Sequence, residues 1–182
     1  MTTYISMLRG INVGGHRKIR MADLKILYEN LGFKEVLTYI QSGNVIFQTE
    51  TVMDTFLLTQ QIEKVIAATY PFSVPVLVRT QAEWDNLLIS NPFLAAEALS
   101  MENMYVTFLD ELPNSLLLDK IKNLDYPSEP FIILGKDIYL YTADYGKTKL
   151  SNSFFENKLK VRATTRNWKT IQQLAILGKG WN

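Results

Sequence analysis

Cysteine is absent from the 182-residue chain, and histidine occurs only once. The first absence excludes disulfide bonds, cysteine nucleophiles and thiolate metal ligands, and the second excludes a metal site built from several histidines. No apolar run approaches the length that spans a bilayer, and no basic stretch precedes an apolar segment near the N-terminus. With 47% hydrophobic and 20% charged residues, the sequence predicts a globular, cytoplasmic protein without a membrane partner.

Acidic residues are scarce at both ends of the chain, although the formal net charge of the whole is only +1. Residues 1–22 contain four Lys or Arg and no acid, and residues 145–182 contain eight with a single acid, Glu156. The acids are concentrated in the stretch between them. Two cationic ends attract an anion if they meet in space, whereas basic residues scattered over a solvated surface explain the same pattern without a ligand.

The order of predicted elements repeats once along the chain. β-branched and aromatic runs bounded by glycine or proline predict strands, and apolar residues three and four apart predict helices. In each half the order is strand, helix, strand, strand, helix, strand. The predicted fold class is α+β, with ferredoxin-like βαββαβ units over residues 1–80 and 101–182, a helical linker over 81–100, and a C-terminal helix. One continuous mixed sheet with helices on one face is the alternative.

Two of the helices carry specific expectations. The second helix of the first unit is predicted between about residues 53 and 70, with an inner stripe formed by Phe56, Ile62, Val65 and Ile66. In the C-terminal helix, Trp168 is predicted to pack in the core, and Thr165 or Asn167 to cap the first turn.

The segment RGINVGGHRKIRM (Arg9–Met21) combines three glycines, four Lys or Arg, and the only histidine. It connects the first strand to the first helix. In a βαββαβ unit this connection lies at the same end of the sheet as the turn between the second and third strands, here Gln41–Asn44. We therefore predict that the Gly10–Arg20 loop meets this turn, where N–H groups at the start of the helix also favour an anion.

The residues of these loops, with the start of the last helix, offer cations and hydrogen-bond donors that suit a phosphate or a carboxylate. The predicted ligand-binding residues are Arg9, Asn12, Gly14, Gly15, Arg17, Lys18, Gln41, Ser42, Asn44 and Arg166. The loop matches neither the P-loop pattern nor the dinucleotide-binding pattern of glycines. No metal and no cofactor are predicted.

Three stretches together resemble a bacterial family of unknown function, family 1697, and the likeness spans nearly the whole chain. They are RGINVGG (Arg9–Gly15), TYIQSGNVIF (Thr38–Phe47) and TTRNWKT (Thr164–Thr170). The resemblance implies a cytoplasmic protein of this size, and it supplies neither an activity nor a catalytic residue.

The sequence leaves three functions open. The first is binding of an anionic ligand, either nucleic acid or a nucleotide-like molecule, at the glycine-rich basic loops. The second is an enzyme acting on a small anionic metabolite, with His16 as acid or base, Ser42 as hydroxyl, and Arg9 or Asn44 stabilising an oxyanion. The third is an interaction or self-assembly module that pairs along an open sheet edge. No catalytic residue and no oligomeric state are assigned.

Overall fold

The computed structural model describes residues 1–96, 98–122, 124 and 129–180. The chain divides into two compact units, the first formed by residues 1–86 with the residues from 173 onward, the second by residues 87–172. Glu97 of the predicted linker lies outside the described residues, as do residues 123, 125–128 and 181–182 of the predicted second unit.

The first half of the chain forms four strands and three helices. They are β1 (Thr2–Leu8), α1 (Met21–Asn30), β2 (Lys34–Tyr39), β3 (Asn44–Thr49), α2 (Thr55–Thr69), β4 (Val76–Thr80) and α3 (Gln81–Ile89). Two 3₁₀ turns, Pro92–Ala95 and Met101–Asn103, lead into the second half. The predicted linker is thus helical and interrupted at Pro92.

The second half repeats the order of the first and adds a final helix. Its elements are β5 (Met104–Leu109), α4 (Ser115–Lys122), β6 (Phe131–Leu134), β7 (Asp137–Tyr141), α5 (Asn152–Leu159), β8 (Ala163–Asn167) and α6 (Trp168–Lys179).

Each half builds its own antiparallel sheet of four strands. The strand order is β2-β3-β1-β4 in the first sheet and β6-β7-β5-β8 in the second. Numbered within its own half, each sheet has the order 2-3-1-4, which is the ferredoxin-like arrangement. The predicted α+β fold with two repeated units is confirmed, and the alternative of one continuous sheet is wrong.

Aromatic rings pack α1 and the residues after it against the sheet of the first unit. Phe47 on β3 stacks on Phe33 with ring centroids 4.4 Å apart and lies 5.5 Å from Tyr28 of α1. The Tyr28 hydroxyl is 2.8 Å from the Ser6 hydroxyl of β1, and burial raises the pKa of Tyr28. On the other face of β1, Ile5 and Met7 are buried as well. Both faces of this central strand are therefore closed to a ligand.

The inner stripe of α2 differs from the prediction at one residue. Phe56 is 61% exposed, while Leu58, Ile62 and Ile66 are buried. The Asp54 carboxylate accepts hydrogen bonds from the N–H groups of Phe56 and Leu57, so the helix begins at Thr55. Phe56 stands six residues before Ile62, which is not a whole number of turns at 3.6 residues per turn. Phe56 therefore faces solvent.

The start of α6 agrees with the prediction. Asn167 accepts a hydrogen bond from the Thr170 N–H at 2.8 Å, which identifies Asn167 rather than Thr165 as the cap. Trp168 is 1% exposed and thus packs in the core. Among the described helices, none combines the length and the apolarity needed to cross a membrane.

Gly43 brings the turn between β2 and β3 close to the end of β1. Its carbonyl oxygen accepts a hydrogen bond from the Leu8 N–H at 2.7 Å, and its φ is +80°. A Cβ at this position would lie 2.7 Å from Ile11 Cδ1 and 2.8 Å from Leu8 Cβ. Both the backbone conformation and the available space therefore require glycine.

We expect Gly43→Ala to lower the free energy of unfolding by about 2–4 kcal/mol, because it combines left-handed strain with overpacking. The matched control is Gly135→Ala in the second unit, where φ is +61° and no atom lies within 4 Å of the added Cβ. That control carries only the strain, about 1 kcal/mol. Urea unfolding of both variants checks the difference, and equal losses would contradict close packing at Gly43.

Candidate functional site

The Gly10–Arg20 loop folds back on itself through a series of left-handed residues. Positive φ angles occur at Gly10, Asn12, Gly14, Gly15 and Arg17. The Asn12 N–H donates to the Arg17 carbonyl at 3.2 Å, and the His16 N–H donates to the Val13 carbonyl at 3.0 Å. These two hydrogen bonds fold the loop back on itself into a compact turn. Residues 13–18 at its tip are exposed.

The Asn12 side chain joins this loop to the turn between β2 and β3. Its amide nitrogen donates to the carbonyl oxygens of Ile19 and Gln41, both at 2.9 Å. Its amide oxygen accepts from the Ile19 N–H at 2.9 Å. The predicted meeting of the loop and the turn is confirmed: one of these three bonds crosses to the turn at Gln41, and the two to Ile19 hold the loop itself.

The predicted residues of the first unit fall into exposed and structural groups. Gly14, Gly15, Arg17, Lys18 and Gln41 are exposed, whereas Arg9 and Ser42 are half-buried. The Arg9 N–H donates to the Pro75 carbonyl at 2.9 Å and fixes the end of β1.

Asn44 is fully buried, so its polar group serves the hairpin. Its amide donates to the Tyr39 carbonyl at 3.1 Å and to the Ser42 hydroxyl at 3.0 Å. The Asn44 and Ser42 side chains thus shape the turn whose Gln41 carbonyl accepts the Asn12 amide. Neither geometry supports a role for Ser42 as an isolated reactive hydroxyl.

Arg166 belongs to the second unit, on β8. Its Nη1 donates to the Thr164 hydroxyl at 3.1 Å and to the Thr165 carbonyl at 2.9 Å. Burial lowers the pKa of the Arg166 guanidinium to about 10, with the nearby Tyr145 opposing that shift. Arg166 therefore keeps its charge at neutral pH, and its contribution to an anion site stays a prediction.

The loop borders an open depression of about 580 Å³ at the start of α1. Its lining residues are Asn12, Gly15, Lys18, Ile19, Arg20, Met21 and Gln41. Three of these, Ile19, Arg20 and Met21, were not among the predicted ligand-binding residues. Ile19 and Arg20 directly precede α1 and Met21 is its first residue, and this position at the helix N-terminus is the sequence signal that could have included them.

Arg20 is the only cation of this loop that has an acidic partner among the described ion pairs. Its Nε lies 2.8 Å from Asp23 Oδ2, and its Nη2 lies 3.2 Å from Asp23 Oδ1. The hydrogen bond and charge of Asp23 raise the pKa of Arg20. Arg17 and Lys18 contact no carboxylate in the part of the chain that the structure describes. These two cations are consequently available to an anion.

The described residues of this site offer less for acid–base catalysis or metal binding than for anion binding. His16 is exposed at the loop tip, and within the described contacts no carboxylate orients its ring. The described residues also contain no group of three or more His, Asp or Glu side chains placed to hold a metal ion.

Two ferredoxin-like units, of which the first carries an extended basic loop, define the class of protein. The chain belongs to the family described as "Protein of unknown function (DUF1697)", whose model matches residues 1–139. The solved structure of the conserved bacterial protein SP0830 from Streptococcus pneumoniae is similar, with a TM-score of 0.76 and 24% sequence identity. The match covers 98% of this chain and 99% of that one, and at this identity it shows the fold. No curated protein is significantly similar to the chain.

We expect Asn12→Gly to loosen the loop, because glycine adopts the left-handed φ but makes none of the three side-chain bonds. The free energy of unfolding should fall by about 1–2 kcal/mol, since each net hydrogen bond contributes about 1 kcal/mol and part of this site is exposed. Amide hydrogen exchange should show faster exchange of the Ile19 N–H.

The matched control for this change is Gln41→Ala. It removes an exposed side chain at the same contact but keeps the backbone carbonyl that accepts the Asn12 amide. Exchange at Ile19 should stay at the wild-type rate in this variant. Unchanged exchange in Asn12→Gly as well would show that the side chain does not hold the loop.

Proposed function

We propose that the protein binds a phosphate-bearing anion at the basic loop Gly10–Arg20, in the cytoplasm. The observation that carries this proposal is a comparison of the same connection in the two repeated units. In both units the strand preceding the connection is anchored by the same two backbone hydrogen bonds. They are Leu8 N–H to Gly43 and Arg9 N–H to Pro75 in the first unit, and Leu109 N–H to Lys136 and Asp110 N–H to Arg162 in the second.

Between these anchors and the following helix, the two units differ in length. The second unit needs only residues 111–114 before α4 begins, whereas the first uses residues 10–20 before α1 begins. The shorter connection shows how little chain the topology requires. The additional residues of the first unit include both glycines of the turn and the cations Arg17 and Lys18, which supports a role beyond folding.

The two connections also differ in charge, which again supports a role for the first connection beyond folding. In the second unit Asp110 faces a partner, because its carboxylate lies 2.8 Å from Arg162 Nε and also accepts the Arg162 N–H at 2.9 Å. In the first unit the equivalent position is Arg9, and Arg17 and Lys18 follow it without acidic contacts in the described chain. A cationic loop beside an open depression is the arrangement that attracts phosphate groups.

The backbone at the start of α1 adds to this attraction. Among the described contacts, no side chain caps the first turn at Arg20. The N–H groups there carry the positive end of the helix dipole and point outward from the helix. A phosphate in the depression would thus meet both N–H donors and the Lys18 side chain.

We expect the double reversal Arg17→Glu/Lys18→Glu to abolish binding of inorganic tripolyphosphate and of single-stranded RNA and DNA at low salt. The melting temperature should stay nearly unchanged, because both side chains are exposed. In the wild type, affinity for oligonucleotides should fall with salt with a log–log slope near −0.7 per phosphate neutralised. Titrations of labelled oligonucleotides at several salt concentrations measure both effects.

The control is Lys34→Glu/Lys64→Glu, which makes the same change in net charge at two exposed residues of the same unit. It should retain most of the binding. Equal losses in the two double variants would show a general charge effect instead of a site. If the wild type binds neither tripolyphosphate nor oligonucleotides, the proposal is wrong.

The catalytic alternative has a separate check at His16. Because His16 is exposed, His16→Gln should change the free energy of unfolding by less than about 0.5 kcal/mol. A loss of several kcal/mol, measured by urea unfolding, would place the imidazole in a buried network.

A further inference from the structure

A second groove runs between the two helices of the first unit. Its volume is about 390 Å³. From α1 it is lined by Asp23, Ile26, Leu27 and Asn30, and from the end of α2 by Val65, Thr69 and Tyr70. The α1 residues stand three and four apart, so they form one stripe of that helix. Ile26 is 53% exposed, and the groove is thus an accessible apolar surface.

This groove begins where the basic depression ends. Arg20 lines the depression and Asp23 lines the groove, and their side chains are joined at 2.8 Å. Tyr70 lines the groove together with Asp23. Burial raises the pKa of Tyr70, the Asp23 carboxylate adds to the rise, and Arg20 opposes it.

We propose that the ligand is a nucleoside 5′-phosphate, with its phosphate beside Lys18 and Arg20 and its base in the groove against Tyr70 and Ile26. This inference rests on the proposed function, since it assigns the phosphate to the basic loop. The phosphate belongs either to a free nucleotide or to the 5′ end of a nucleic-acid strand.

The composition of the groove matches a base better than a second anion. Ile26, Leu27 and Val65 supply apolar walls for the faces of a planar ring. Asn30 places an amide among these apolar groups, where base edges offer donors and acceptors. The Thr69 hydroxyl donates to the Val65 carbonyl at 2.8 Å and can therefore serve a base only as an acceptor. A pocket of a few hundred cubic ångströms with few polar groups is typical of small-molecule sites.

Tyr70 has the support that a stacking platform needs. Its ring stacks on Phe72 with centroids 5.4 Å apart and an interplanar angle of 18°, and it packs against the core of the unit. The ring is half-buried, so part of it stays open toward the groove. Stacking on a fixed aromatic ring is sequence-tolerant, because every base has a π-face.

The decisive measurement compares ligands that share the phosphate and differ in the base. Calorimetric titrations of the full-length protein with AMP, CMP, GMP and UMP are set against ribose 5-phosphate. At least one nucleotide should bind about tenfold more tightly than ribose 5-phosphate, the effect expected of one stacked base. Equal affinities would overturn the inference and leave the phosphate site standing, whereas no binding of any of these compounds would overturn both.

The groove is tested directly by Ile26→Glu, which places a charge on the apolar wall at an exposed helical position. The ratio of nucleotide to ribose 5-phosphate affinity should fall to near unity. Because both ligands carry the phosphate, a long-range effect of the new charge on phosphate binding changes both affinities alike and leaves their ratio unchanged. The matched control is Leu57→Glu, an equally exposed leucine of α2 that does not line the groove. A ratio that survives in Ile26→Glu would overturn the assignment of the base to this groove.

Titrations with a 5′-phosphorylated oligonucleotide and with the same strand without the phosphate distinguish a free nucleotide from a strand end as the source of the phosphate. Tighter binding of the phosphorylated strand than of the free nucleotide identifies a strand end, and the reverse order identifies a free nucleotide. Both results support the inference. Preference for the unphosphorylated strand would contradict it.

Discussion

The shape of the candidate site depends on one carboxamide, that of Asn12. The loop that carries the cations has no strand or helix of its own, and its left-handed residues would fit many arrangements. Asn12 meets two demands at once, because asparagine tolerates the left-handed φ of 56° and offers both a donor and an acceptor. An aspartate could accept the Ile19 N–H but could not donate to the carbonyls of Ile19 and Gln41. These bonds fix the position of the loop relative to the turn. The turn itself is positioned by Gly43, which packs on Ile11.

The internal repeat separates what the fold needs from what is added to it. The two units use the same strand order and the same pair of backbone bonds at the end of their first strands, so both connections start from equivalent positions. The second unit then closes the short connection with the Asp110–Arg162 ion pair. The first unit has Arg9 at the equivalent position and continues into the longer, glycine-rich stretch of residues 10–20 before α1 begins. Ile11 and Ile19 anchor this extension in the core of the first unit, whereas residues 13–18 at its tip are exposed, and it is for this tip that we propose a ligand.

Topology was the part of the structure that the sequence predicted well. Strand direction decides at which end of a sheet each connection lies, so the meeting of the loop with the turn followed from element order alone, before any contact was known. The role of single side chains was harder to predict. Phe56 is apolar and lies in the first turn of α2, but it stands six residues before Ile62, which is not a whole number of turns, and it faces solvent. Asn44 was assigned to a ligand by its type, yet its burial in the hairpin depends on tertiary packing. The groove between α1 and α2 could not be predicted, since it requires the relative position of two helices.

Cations at the start of a helix carry an electrostatic cost, because the helix dipole is positive there. The structure limits this cost by exposing Arg17 and Lys18 to water and by pairing only Arg20, the one closest to the helix, with Asp23. Asp23 therefore serves two purposes: its charge suits the first turn of α1, and its carboxylate orients the Arg20 guanidinium toward the border of depression and groove. Over about two helical turns the surface changes from cationic at Lys18 and Arg20 to apolar at Ile26 and Leu27. In the ligand assignment that we propose, a charged end and a flat apolar end use both sides of this border, whereas inorganic phosphate would leave the apolar side unused.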